Sequence, residues 1–168
     1  MLIRKLVATD APAFRTLRLE GLRTHPEAFG SDYEESLALP EARFAQWIEE
    51  APPGAIFGAF DGEALVGLAG LAVERGKKKR HKATLWGVFV AASHARRGLG
   101  RKLTQAVIDD ARGQHLLLQA SVMMQNHAAR ALYASLGFES YGIQRKAAQV
   151  GGVFIDDELL MLDFTEPG

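Results

Sequence analysis

The stretch Ala95-Arg96-Arg97-Gly98-Leu99-Gly100-Arg101-Lys102 decides the fold. It follows an apolar run, Leu85-Trp86-Gly87-Val88-Phe89-Val90, and opens a segment in which Leu99, Leu103, Ala106, Val107 and Ala111 recur at helical spacing. The succession reads as strand, tight turn, helix. Two glycines let a bulky partner approach the backbone, and the first-turn N–H groups of the helix have no internal acceptors. Such a terminus binds anions, phosphate above all. The charges agree. Arg96, Arg97, Arg101 and Lys102 crowd a helix start where the macrodipole disfavours each cation by roughly 0.3–1 kcal/mol. A pyrophosphate would remove that conflict. The same residues could also form an ordinary strand-to-helix turn with solvated arginines. Two better-known phosphate loops are excluded: no stretch supplies the Walker spacing, and a dinucleotide fingerprint needs glycine where Leu103 stands.

The stretch resembles motif A of the GCN5-related N-acetyltransferases (GNAT), in which strand, Gly-x-Gly turn and helix hold the pyrophosphate of acetyl-CoA. The family usually places Gln or Arg three residues before the first glycine; here that position is Ala95. A second stretch, Asn126-His127-Ala128-Ala129-Arg130-Ala131-Leu132-Tyr133-Ala134-Ser135-Leu136-Gly137-Phe138, is similar to another signature of that family: Asn, two residues, Ala, then Leu-Tyr and Gly-Phe. Two motifs in the right order and context are far more specific than either alone.

The rest of the chain is consistent with one domain over residues 1–168. Leu2 to Val7 reads as an edge strand. Thr9 or Asp10 caps a helix carrying Pro12, Phe14, Leu17, Arg18 and Leu22, which His25-Pro26 ends. Glu27 to Glu35 is an acidic and aromatic connector, either solvated loop or short helix. A second helix from Pro40 buries Phe44, Trp47 and Ile48. Strands Ala55–Phe60 and Glu63–Val73 then meet across an Asp61-Gly62 turn. Lys77 to Lys82 reads as a solvated hairpin loop or an anion-steering patch.

After the motif A helix comes a buried strand from Leu116 to Val122, and the strand, helix, strand succession implies a parallel pair. Asn126 caps the next helix and Gly137 stops it. A closing hairpin turns at Gly151-Gly152, and Thr165 to Gly168 form a tail. The expectation is an α/β fold of GNAT type: a mixed sheet, antiparallel at both ends with a central parallel pair, flanked by about four helices.

Composition narrows the functional classes. Twenty basic and twenty acidic residues balance, which argues against a nucleic-acid partner. The 168 residues include no cysteine, so disulfides, thiolate metal sites and a thiol-linked acyl-enzyme are excluded. No run approaches the roughly 20 apolar residues of a membrane span, and Met1-Leu2-Ile3-Arg4-Lys5 is followed by no long apolar region or cleavage site. The expectation is a cytoplasmic protein using no metal.

The resemblance implies an acetyl-CoA-dependent enzyme that moves an acetyl group directly to a primary amine of a small molecule, protein or peptide. The acetyl-CoA contacts implied are Val88, Phe89 and Val90, whose strand would be splayed to free backbone N–H groups, then Arg96, Arg97, Gly98, Leu99, Gly100 and Arg101, and Asn126. Asn126 is equally an N-cap. Tyr133 matches the general acid for the departing thiolate, although its place on an apolar face also suits packing.

Many relatives carry a glutamate base before motif A, but Ala83 to Ala92 contains none. Glu34, Glu35, His81 and His94 are candidates, and none is assigned. Carboxylates at Asp32 to Glu35 and Asp156 to Glu158 suggest a cationic acceptor. A homodimer is compatible with the reading. The competing class is a non-catalytic acyl-CoA-binding sensor or interaction module of the same fold. A nucleic-acid module built on Lys77 to Lys82 ranks behind both, because that run lacks interleaved aromatics.

Overall fold

The structure is a computed structural model that describes residues 1–166. Its strands are β1 (Leu2–Lys5), β2 (Ala55–Asp61), β3 (Ala64–Val73), β4 (Lys82–Val90), β5 (Leu117–Met123), β6 (Glu139–Val150) and β7 (Val153–Asp163). They form one sheet in the order β1-β2-β3-β4-β5-β7-β6. Every neighbouring pair is antiparallel except β4 with β5, which is the expected mixed sheet with its parallel pair at the centre. Helices α1 (Ala11–Thr24), α2 (Tyr33–Leu37) and α3 (Glu41–Glu50) precede β2; α4 (Leu99–Arg112) joins β4 to β5, and α5 (His127–Ser135) follows β5.

The sheet is buried on both faces because its inner strands carry apolar side chains at successive positions. In β2, Ala55, Phe57 and Ala59 point into a core with Leu103, Val107 and Ile108 of α4, while Ile56 and Phe60 join Phe14 and Leu17 of α1 and Phe44 of α3 on the other side. Each helix thus covers the face that its apolar stripe matches.

Several local expectations are corrected. The hairpin residues between β2 and β3 are Gly62 and Glu63, since Asp61 already pairs with Ala64. Asp10 stands at the N-cap of α1 but makes no cap bond. Its carboxylate instead accepts from the Arg4 guanidinium at 2.7 and 2.9 Å and from Val7 N–H at 2.8 Å, and charge-assisted bonds outcompete a cap. Trp47 is half-buried rather than fully buried, because it borders a cavity. The buried strand starts at Leu117, leaving Leu116 exposed. The link from β4 to α4 is no tight turn: it runs from Ala91 to Gly98 and includes a 3₁₀ turn at Ala92–His94. Of the expected tail, residues 167–168 lie outside the described residues, while Thr165 bonds Asp163 through N–H and hydroxyl.

Candidate active site

The site begins with a defect in the parallel pair. Strands β4 and β5 are in register only from Lys82 with Leu117 to Thr84 with Gln119. Beyond Thr84 they diverge, so the edge of residues 85–90 that faces β5 has no ladder partner. The cause lies on the opposite edge. Trp86 pairs with Gly70 and Phe89 with Leu68, so Gly87 and Val88 face one residue, Ala69. That is a β-bulge, which bends its strand and raises the local twist. Gly87 has φ +63°, a conformation that costs other residues strain. The expected splay at Val88, Phe89 and Val90 is therefore present.

Between the diverging strands lies a cleft of about 140 Å³, walled by Leu85 to Val88 on one side, Ser121 to Met123 on the other and Asn126, Leu132 and Tyr133 from α5. Tyr133 is 8% exposed and packs against Phe138 with ring centroids 5.6 Å apart and the rings tilted by 58°. Burial pushes its phenol up to about 12, so it holds its proton throughout the neutral range. Asn126 accepts from Ala129 N–H at 3.1 Å as the N-cap of α5, and it lines the cleft as well. Both readings of Asn126 are thus compatible with its position.

The glycine turn adjoins this cleft. Gly98 stands at the N-cap of α4 with φ +71° and no side-chain cap. The first bond back to this turn is Lys102 N–H to Gly98 O at 3.1 Å, which leaves the N–H groups of Leu99, Gly100 and Arg101 without helical acceptors. A Cβ on Gly98 would meet nothing within 4 Å, and one on Gly100 would lie 3.7 Å from Leu132. Leu132 also lines the cleft beside Tyr133, so cradle and cleft are continuous. The arrangement fits a diphosphate at the helix start with its attached chain running toward Tyr133.

The individual side chains divide by role. Arg96 and Arg97 are exposed, and Arg96 takes a positive φ of 61°. Leu99 is 3% exposed in the core, so only its backbone can meet a ligand. Arg101 donates to Ser135 Oγ at 2.5 Å, clamping α4 to α5. Phe89 likewise places its ring in the core shared with α1.

Of the candidate bases, His94 is held between Ser93 Oγ at 2.8 Å and Asp61 Oδ2 at 3.0 Å. Neither it, His81, Glu34 nor Glu35 lines the cleft or the adjoining cavity beneath Val88 to Val90, whereas His25 and Glu27 line the latter. Carboxylates of the connector and of the closing hairpin also have local partners: Asp32 caps α2 through Glu35 N–H at 2.9 Å, and Glu158 in β7 binds Arg130 at 2.6 Å. Among the described residues no group of three or more His, Asp or Glu is placed to hold a metal, and no helix is long and apolar enough to cross a membrane.

Two features of this region are not evident from local pattern. Gly87 lies inside an apolar run, and a lone glycine in a strand is the usual mark of a bulge. Arg18 shares the buried face of α1 with Phe14, Leu17 and Leu22, an unusual place for a cation.

Comparison with known proteins agrees with this geometry. The sequence profile described as Acetyltransferase (GNAT) family matches residues 16–138. The chain belongs to the GNAT family. Among GNAT relatives, N-alpha-acetyltransferase RimI of Mycobacterium tuberculosis is 34% identical over 102 residues, covering 61% of this chain and 63% of that protein. L-amino acid N-acyltransferase MnaT of Escherichia coli is 37% identical over 84 residues, covering 47% of this chain and 46% of that protein. The chain thus spans less than two thirds of the length of these curated relatives. Among solved structures, yncA of Salmonella typhimurium, determined with its cofactor acetyl-CoA, superposes with a TM-score of 0.86 at 24% identity, over 100% of this chain and 96% of that one. The GNAT match begins within α1, runs past the end of α5 to Phe138 and includes both motifs, the bulge and the splay.

Proposed function

We propose that this GNAT protein is an acetyl-CoA-dependent N-acetyltransferase that moves the acetyl group directly to a primary amine. The observation that carries the reading is the continuity at Leu132: it touches the glycine turn of α4 and lines the splayed cleft beside the buried Tyr133. A cofactor held by its diphosphate at one end would thereby present its thioester between Val88 and Tyr133.

Each group then has a task. The N–H groups of Leu99, Gly100 and Arg101 bind the diphosphate, with Arg96 and Arg97 supplying charge from the rim. Backbone N–H groups of the open β4 edge around Val88 to Val90 polarise the carbonyl and stabilise its oxygen as the amine attacks, at no cost in reorganisation. Tyr133, a phenol that burial keeps protonated well into the alkaline range, protonates the sulfur as the C–S bond breaks, and the proton shed by the acylated nitrogen restores the phenol. The amine must arrive deprotonated, since an ammonium has no lone pair.

The test follows free thiol when the protein is mixed with acetyl-CoA and a panel of primary amines. Amine-dependent thiol release, with acetylated amine found by mass spectrometry, is the expected result. Acetyl-CoA binding by calorimetry without release for any amine would instead favour the sensor or interaction module.

A further inference from the structure

The least expected side chain in the molecule is Arg18. It lies on the buried face of α1, is only 9% exposed, and forms no ion pair among the described residues. Its guanidinium is stacked against Phe29 at 5.4 Å and Trp86 at 5.3 Å. One N–H donates to Ser31 Oγ at 3.3 Å; no other protein acceptor engages it among the described residues. Burial pushes its ionisation down, yet guanidinium remains charged in proteins. A buried cation with one weak bond is expensive, and an apolar side chain would pack as well between two aromatic rings.

Its remaining donors have no protein acceptor among the described residues, and the side chain borders a cavity. Arg18 lines a cavity of about 410 Å³ whose other walls include Ser31, Trp47, Trp86, Glu50 and Arg75. Its charge is not balanced there. Glu50 directs its carboxylate to Arg43 at 3.8 Å, while Arg75, which donates to the Glu50 carbonyl at 2.9 Å, adds a second cation at the rim. The cavity and the splayed cleft share a wall. Trp86 lines both this cavity and the splayed cleft, and Arg18 Nη1 would stand 3.2 Å from a Cβ on Gly87, the residue before Val88. A planar fork with unengaged donors, beside two tryptophans in a cavity wall, is the arrangement that recognises a carboxylate in bidentate fashion.

We propose that Arg18 is the anchor for a carboxylate of the acceptor, so that the acceptor is a free amino acid whose side chain packs against Trp47 and Trp86. This rests on the acetyltransferase reading above. A carboxylate on Arg18 sets the attached amine beside the backbone of Gly87 and Val88, where the thioester carbonyl is to be polarised. It also separates a free amino acid from a peptide N-terminus, whose neutral amide satisfies the fork poorly.

Both tryptophans of the chain line this cavity, so their fluorescence reports on it directly. The probes are L-phenylalanine, L-leucine and L-methionine, each with its amide, its decarboxylated amine and a dipeptide bearing it at the N-terminus. With CoA-saturated protein, at least one free amino acid gives a saturable fluorescence change. With acetyl-CoA, that amino acid exceeds its amide, amine and dipeptide in kcat/KM by about tenfold or more.

Arg18→Met keeps the stack and lowers kcat/KM for the amino acid by about a hundredfold, chiefly through KM, while the amide is little affected. Arg18→Lys keeps the charge without the fork and falls between. An amide or dipeptide used as well as the free acid overturns the proposal, as does an equal loss for every amine in Arg18→Met, or no fluorescence response to any acid. If Arg18→Met fails to fold, the wild-type comparison of acid with amide decides alone. Thiol release from no amine at all, with a fluorescence response to the acids that Arg18→Lys weakens, would remove the transferase reading and leave the carboxylate site standing.

Discussion

Arg18 and Gly87 approach so closely that a single added carbon on Gly87 would stand 3.2 Å from Arg18 Nη1. The approach brings α1 against the bulge in β4, and the missing side chain at Gly87 leaves the space beside the buried guanidinium. Gly87→Ala tests this. The left-handed φ of +63° makes alanine cost about 1–3 kcal/mol in stability, and the added methyl pushes on Arg18. We expect kcat to fall by about tenfold or more while acetyl-CoA affinity in calorimetry stays near wild type, because the glycine turn of α4 is untouched.

The cradle predicts a different pattern. Gly98→Val and Gly100→Val place branched carbons where, within the protein, only open space or Leu132 lies; at Gly98 the φ of +71° adds strain. Both variants should lose at least about tenfold in acetyl-CoA affinity through blocked backbone donors. Gly98→Asn tolerates the left-handed backbone and separates strain from filling. Arg97→Ala, at an exposed position, should lose less. Wild-type affinity in both valine variants would show that the diphosphate binds elsewhere.

Tyr133→Phe should lower kcat while leaving acetyl-CoA affinity unchanged, because the ring stays and only the proton donor goes. A phenol pushed up to about 12 predicts that its ionisation imposes no alkaline fall in kcat below about pH 11.

The same shift affects stability. The folded value lies above the ordinary tyrosine value of 10.0, so the folded state holds this proton where the unfolded chain releases it. The resulting stabilisation is complete below about pH 10 and is lost as pH rises toward about 12, by roughly 2–3 kcal/mol for two units. Tyr133→Phe should therefore show a shallower alkaline decline in denaturant midpoint than wild type.

The ion pair of Arg130 with Glu158 ties α5 to β7 at 2.6 Å, and Arg130 also donates to the Met124 carbonyl at 3.3 Å. The Arg130 hydrogen bond holds the Glu158 carboxyl below its ordinary value of 4.5. Its contribution is present above that value and is lost as pH falls through the folded one. Glu158→Gln should thus lower Tm at pH 7 but converge with wild type in acid. A constant difference down to pH 2 would assign the effect to packing.

Much of this molecule follows from local pattern. Helical spacing from Leu99 to Ala111, the change to strands after Gly54, the glycine turn and the Asn126 to Phe138 signature are properties of neighbouring residues, so they place the elements, the parallel crossover and the two motifs that flank the cleft. The correction at Asp10 shows where that legibility stops. Its capping role is lost to Arg4, a residue of another element, and spacing cannot rank such competitors.

The site's decisive features are of the same non-local kind. Gly87 becomes a bulge only because β3 supplies one residue, Ala69, opposite two. Tyr133 becomes a weaker acid than a tyrosine in water only because packing around α5 and Phe138 buries its phenol. Arg18 becomes a buried, open-handed cation only when Phe29 and Trp86, 11 and 68 positions further along the sequence, close around it. Backbone preference is set within a few residues, whereas burial and charge neutralisation depend on which distant segments meet.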